Sequence, residues 1–321
     1  MALPSFLQDQ LRIPVVAAPM FIVSGPQLVI EQCKAGIVGS FPALNARPQG
    51  LLDDWLAEIA ETLDAERAKY PDRKIAPFAV NQICHASNDR LQADMMSCVK
   101  AKVPIIITSL RPPQEIVDAA HSYGGVVFHD VINLRHARKA ISEGVDGIIA
   151  VCAGAGGHAG ALSPFALIKE IRQEFEGALL LSGAMTTGQD VLAAQAIGAD
   201  LAYIGSRFIA TTEANADPAY KQMLVDTAAA DIVYSSLFTG VHGNYLKPSI
   251  EKAGLDPNNL PEADKSTMNF GSGGNTKAKA WKDIWGSGQG VGSIDNILPV
   301  ADLVERMVDE YHAVRSRLLA G

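Results

Sequence analysis

Eight short apolar runs, spaced by segments with helical patterning, limit what this 321-residue chain can fold into. They fall at 15–20, 37–41, 78–83, 103–110, 125–131, 145–152, 178–182 and 201–205. Continuous apolar runs of this length, rich in Val and Ile, suit parallel strands covered on both faces. The segments between them carry helix signals. Trp55, Leu56, Ile59 and Leu63 form an apolar stripe with acids on the other side. Ser163-Pro164 pairs an N-cap residue with proline at the first helical position. A further helix stops at Gly198, and Val300, Leu303, Val304, Met307, Val308 and Tyr311 mark a long closing helix. Eight strand–helix units predict an α/β fold, a (β/α)8 TIM barrel; a doubly wound sheet would usually use fewer strands.

The rhythm breaks after Ser206. From 213 to 285 no strand–helix unit can be read, although Val225 to Leu237 looks partly helical. The stretch 269–292 is rich in glycine, with Gly271, Gly273, Gly274, Gly286, Gly288, Gly290 and Gly292. The closing helix needs a core to cover, so the chain must return to the barrel. The expected organisation is a barrel over 1–212 and 286–321, with a smaller domain at 213–285 inserted after strand eight and capping the barrel mouth.

Composition removes several function classes. Twenty-seven basic against 35 acidic residues leave a net charge of −8, which argues against a general binder of nucleic acid or anionic membranes. No signal-peptide pattern opens the chain and no run approaches the length of a membrane span, so the expectation is a soluble, cytoplasmic protein. A homodimer is left open. Cys33, Cys84, Cys98 and Cys152 show no paired spacing, and neither a disulfide framework nor a metal site is expected.

In a barrel the chemistry gathers at the C-terminal ends of the strands. After run six comes Gly154-Ala155-Gly156-Gly157-His158-Ala159-Gly160. Glycines let such a loop lie close to a flat ligand, and histidine suits proton transfer near neutral pH. Gly154, Gly156 and Ala159 fit a dinucleotide-binding spacing, but the next helix starts several residues too late, at Ser163-Pro164, and run seven ends without a ribose-binding acid. Runs seven and eight end in Ser182-Gly183-Ala184-Met185 and Gly205-Ser206, small residues with a hydroxyl each, placed where barrels often hold phosphate. Run one ends in Pro19-Met20, run three carries Asn81, and run five ends in His129-Asp130. Asn81 is either satisfied by backbone groups or set to meet the edge of a planar ligand.

Taken together, Ala18-Pro19-Met20 with Ser24 and Pro26, Phe78-Ala79-Val80-Asn81, the Ala155–Gly160 segment, Ser182-Gly183-Ala184 and Ile204-Gly205-Ser206-Arg207-Phe208 resemble the nitronate monooxygenase (2-nitropropane dioxygenase-like) family. Gly288-Gln289-Gly290-Val291-Gly292 resembles its closing glycine-rich segment. The resemblance covers most of the chain, in family order. It implies a flavin mononucleotide (FMN) barrel with a smaller cap. Ser182, Gly183, Ala184, Gly205 and Ser206 would hold the phosphate; Ala18, Pro19, Met20 and Asn81 would meet the flavin ring. Gly156 and Gly157 would bring the loop to the cofactor, Gln289 would join it, and His158 would be the catalytic histidine. Two positions depart from the family pattern: Val151 stands where many members carry glutamine, and Ser182-Gly183-Ala184 where Ser-Gly-Gly is common. The implied reaction is oxidative denitrification of alkyl nitronates with O2 to a carbonyl compound and nitrite, with nitroalkanes as further candidate substrates. The alternatives are an NAD(P)H-dependent flavin reductase of quinones or enoyl thioesters, a flavin-free lyase or isomerase acting on a sugar phosphate, and a non-catalytic flavin-binding module.

Overall fold

A computed structural model describes Pro4 and residues 7–111, 113–262 and 284–320. Eight parallel strands form one sheet: β1 (Val15–Ala17), β2 (Gly39–Pro42), β3 (Phe78–Ile83), β4 (Ile105–Ser109), β5 (Val126–Val131), β6 (Gly147–Val151), β8 (Ala178–Ser182) and β9 (Leu201–Ile204). They run in the order β1-β9-β8-β6-β5-β4-β3-β2. A parallel bridge between Val16 and Val38 joins the outer edges, with the Ala17 N–H donating to Val38 O at 2.8 Å. The sheet is therefore closed, and the fold is a (β/α)8 TIM barrel.

Alternation along the strands explains the runs. Val16, Ala79, Ile107, Phe128, Ile149, Leu180 and Leu201 fill the barrel interior, while their neighbours pack under the helices. Both faces are buried, so almost every strand position is apolar. Around the barrel lie α1 (Pro26–Lys34), α2 (Leu51–Lys69), α3 (Leu91–Lys100), α4 (Gln114–His121), α5 (Leu134–Ser142), α6 (Pro164–Arg172) and α7 (Gly188–Ala196). The stripe expected at 52–63 is the buried face of α2. Helix α6 starts at Pro164, after the glycine loop has ended, which is too late for the dinucleotide reading. The C-terminal helix (Val300–Ala320) buries Val300, Leu303, Val304, Met307 and Val308. It lies against α7 so closely that a Cβ on Gly188 would run into the Met307 carbonyl.

After β9 a single-turn helix, α8 (Ser206–Ile209), leads to α9 (Pro218–Asp226). The partly helical reading of Val225 to Leu237 needs correcting. Only Val225 and Asp226 are α-helical; a short 3-10 turn at Ala229–Asp231 follows, then strand β10 (Ile232–Ser235). It pairs antiparallel with β11 (Gly243–Leu246), which leads into α10 (Lys247–Lys252). Of the glycine-rich stretch, Gly271, Gly273 and Gly274 lie outside the described residues. Gln289–Ser293 forms a 3-10 turn that returns the chain to the barrel.

Candidate active site at the barrel mouth

The C-terminal ends of the strands open into a cavity of about 740 Å³. Ala18, Pro19, Met20, Asn81, Gly156, Gly157, His158, Ser182, Gly183, Ala184, Gly205 and Ser206 all border it. Gln289 does not line it. Its N–H donates to Gly154 O at 2.9 Å, and it backs the glycine loop from behind.

The loop's shape follows from contacts within the protein. A Cβ on Gly156 would lie 2.8 Å from Ser206 Oγ and 2.9 Å from Gly288 N. A Cβ on Gly288 would lie 2.6 Å from Gly154 O. Glycine at these positions lets three segments touch backbone to backbone, and the Gly288 N–H donates to Ser206 Oγ at 2.9 Å. Gly157 instead needs its left-handed φ of +67°. Ala184, in the other small-residue turn, holds φ +53°, a conformation that strains a residue with a Cβ.

Gly157 and His158 form a two-residue strand, β7, that pairs with β11 through Gly243↔His158 and Asn244↔Gly157. The histidine therefore sits on a small three-stranded sheet, β10-β11-β7, built largely by the insertion. Asn244 Nδ2 donates to Ala155 O at 2.6 Å, Ala159 N–H to His242 O at 3.1 Å, and Tyr234 OH to Ala159 O at 3.0 Å. Thr239, Asn244 and Tyr234 were not singled out from the sequence. The sequence offered only a weak signal for them, the β-prone run Ile232-Val233-Tyr234-Ser235 with Gly240 in the turn before Gly243, and no alternation marks its buried face.

His158 Nε2 lies 2.9 Å from Thr239 Oγ1, and Thr239 Oγ1 donates to Val241 O at 3.0 Å. A hydroxyl has one hydrogen, so both bonds form together only when Nε2–H donates to Thr239. With the Thr239 hydrogen on Val241 O, the neutral ring carries its proton on Nε2 and its acceptor nitrogen is Nδ1. Burial lowers the His158 pKa, partly offset by the Asp130 carboxylate. The ring is thus held in the neutral form that accepts a proton.

Asn81 donates through Nδ2 to Ile107 O at 3.1 Å and to Ser109 Oγ at 2.8 Å. Backbone and hydroxyl therefore satisfy the amide nitrogen, leaving Oδ1 as its acceptor at the cavity. Asp130 borders the cavity, and its Oδ1 accepts from the Leu110 N–H at 3.4 Å. Tyr203 lies on its floor with a hydroxyl pKa pushed well up by burial. Tyr220 and Trp285 stack at 4.9 Å on the side of the insertion. The Phe208 N–H of the single-turn α8 donates to Gly205 O at 2.8 Å, and this turn follows β9, the neighbour of the strand that ends in the Ser182–Ala184 turn. Small residues, backbone N–H groups and the Ser182 hydroxyl make this half of the mouth fit an anionic phosphate. Among the described residues no cluster of His, Cys, Asp or Glu could hold a metal ion.

A family model described as nitronate monooxygenase matches residues 5–310. The chain belongs to the nitronate monooxygenase family. A nitronate monooxygenase of Paraburkholderia phytofirmans is 25% identical, with 92% of each chain covered. Among solved structures, a nitroalkane oxidase from Streptomyces ansochromogenes superposes with a TM-score of 0.79 at 23% identity, covering 98% of this chain and 100% of that one. The enoyl reductase domain of MlnA from Bacillus amyloliquefaciens has the same fold, with a TM-score of 0.69 at 16% identity over 100% and 99% of the two chains. Nitronate monooxygenases are oxidoreductases acting on small molecules, and membership implies a flavin as cofactor. No helix among the described residues is long and apolar enough to cross a membrane.

Proposed function

We propose that the protein is an FMN-dependent nitronate monooxygenase acting in the cytoplasm, converting alkyl nitronates and O2 to a carbonyl compound and nitrite. The observation that carries this reading is the shared cavity. The Ser182–Ala184 and Gly205–Ser206 turns, Asn81 and the Ala18–Met20 turn all open on the space that His158 borders. On this reading the two small-residue turns hold the FMN phosphate, and a single such anchor favours FMN over FAD. Ala18, Pro19, Met20 and the Asn81 Oδ1 meet the ring, while Gly156 and Gly157 shape the wall opposite. Bound FMN would supply the electron exchange with substrate and oxygen.

The chain's own residues handle orientation and the proton. With Nε2–H fixed on Thr239, His158 Nδ1 takes the proton from the α-carbon of a neutral nitroalkane. A preformed nitronate needs no such transfer. Residues 213–285 act as the cap, carrying the Tyr220–Trp285 stack and the hairpin that positions His158.

The deciding experiment compares oxygen uptake with propionate 3-nitronate against NADH consumption in its absence, and identifies the flavin released on denaturation. Uptake with nitrite formation and released FMN is the expected result. Rapid NADH oxidation with no denitrification would favour the second reading, a flavin reductase of quinones or enoyl thioesters. What favours that reading is the apolar half of the mouth, which suits an acyl chain.

A further inference from the structure

The cavity mouth is divided. Past the ends of β6, β8 and β9 lie Gly156, Gly157, Ser182, Gly183, Gly205 and Ser206, whereas at or beyond the ends of β1 to β5 the cavity is lined by the aliphatic Ile22, Leu44, Ile83, Leu110 and Ile132, with Arg47, Asp130 and His136 between them. Three of these stand in water, Ile22 at 43% exposure, Leu110 at 39% and Ile132 at 39%. Two of the three have left-handed backbone, Ile22 at φ +68° and Leu110 at φ +75°. A β-branched or bulky side chain is strained there, and exposure of its apolar surface adds to the cost.

The scaffold holds this arrangement in place. Asn45 Oδ1 accepts the Ile22 N–H at 2.9 Å, while Asn45 Nδ2 donates to Met20 O at 3.0 Å and Ser24 O at 2.8 Å. Asn215 Nδ2 donates to Ile22 O at 3.0 Å. Leu110 is tied through its N–H to Asp130. Gly160 packs against Ile132, where a Cβ would lie 3.1 Å from Ile132 Cβ. Strained, exposed and clamped apolar residues at the rim of a cavity point to a ligand that covers them.

We propose that the substrate is amphipathic, with its reacting head at His158 and an unbranched aliphatic tail lying over Ile22, Leu110 and Ile132. The proposal rests on the barrel mouth being the active site, as argued above. The tail is the shared chemistry of two sources, a free long-chain alkyl nitronate and an acyl thioester.

The test is calorimetric titration of the FMN-loaded protein with n-alkyl carboxylates from butanoate to dodecanoate. Burial of each methylene tightens binding about fourfold. In Ile22→Asn and Leu110→Asn, both of which tolerate left-handed backbone, the gain per methylene falls below about twofold. Kinetic arms separate the sources. A chain-length series of alkyl nitronates with O2 shows rising kcat/KM if the tail belongs to a free nitronate. Enoyl thioesters of the same lengths with NADH show it if the tail arrives on a thioester. No length dependence in binding overturns the proposal, as does an unchanged increment in both variants. Length dependence only after the flavin is stripped also overturns it, because the arc would then house the flavin ring. Failure of nitronate turnover with the binding increments intact would overturn the reaction assigned above and leave the tail site standing.

Discussion

On the proposed reading His158 would owe its reactivity to Thr239, 81 residues away in sequence, more than to its glycine neighbours. Replacing it with Asn should keep the flavin bound and lower turnover of neutral nitroalkanes by about 10²–10⁴-fold, with a smaller loss on preformed nitronates. Equal losses on both substrates in steady-state assays would show that the ring binds the nitro group instead. Thr239→Val removes one acceptor for Nε2–H, worth about 1 kcal/mol, so kcat/KM should fall about fivefold while flavin content holds. Because burial depresses the His158 pKa, the acid limb of the kcat/KM profile should lie below the usual histidine range and move when Asp130 is changed to Asn. A Cβ on Gly205 would lie 3.4 Å from Ala18 Cβ, an ordinary contact, so Gly205→Ala should load flavin and Gly205→Leu should not. Absorbance of the purified variants decides that pair. At this scale the sequence showed which residues face the mouth, because barrel geometry places strand-end residues there. It could not show Thr239, which lies in the loop between β10 and β11 and meets His158 only in the folded chain. Nor could it show that Gly156 is dictated by Ser206 and Gly288, which come near only in the closed fold.

The barrel strands were legible because each is buried on both faces and reads as an unbroken apolar run. All eight runs contain a strand, usually trimmed by a residue or two at the ends. The hairpin β10–β11 was not legible, since Tyr234 on β10 is largely exposed and no periodic face marks it. Glycines at helix contacts were equally silent. Gly188 reads as a poor helix former, yet it begins α7 with its N–H donating to Glu310 Oε2 at 2.9 Å. Because a Cβ would meet the Met307 backbone, Gly188→Ala should cost about 1–3 kcal/mol, read as a lower midpoint in urea without loss of the flavin spectrum at low denaturant. Asn244→Leu should act differently. It leaves the buried Ala155 carbonyl without its 2.6 Å partner, a loss of about 1–3 kcal/mol concentrated on the glycine loop. Protease susceptibility near 154–160 would rise before global stability changes.

For the molecule as a whole, histidines whose pKa the fold lowers set the response to acid. His129 is buried, its Nδ1 lies 2.8 Å from Thr108 Oγ1, and burial lowers its pKa from the ordinary 6.5. His136 and His158 shift in the same direction. The unfolded chain therefore takes up protons near pH 6.5 that the folded chain refuses, so stability should fall as pH drops below that value and level off once the folded pKa values are passed. Denaturant midpoints at pH 7.5 and 5.5 test the sign. The pairing of β7 with β11 also carries a message about folding order. The eight barrel strands meet mostly neighbours in the chain, whereas His158 must wait for Gly243 to be made and to find it. Contacts of such separation close late. During synthesis the turns at 182–184 and 205–206 should therefore be laid down before the histidine is in place. Pulsed hydrogen exchange would show the Ala159 amide protected after the barrel amides, so His158 would be the last part of the mouth to take its place.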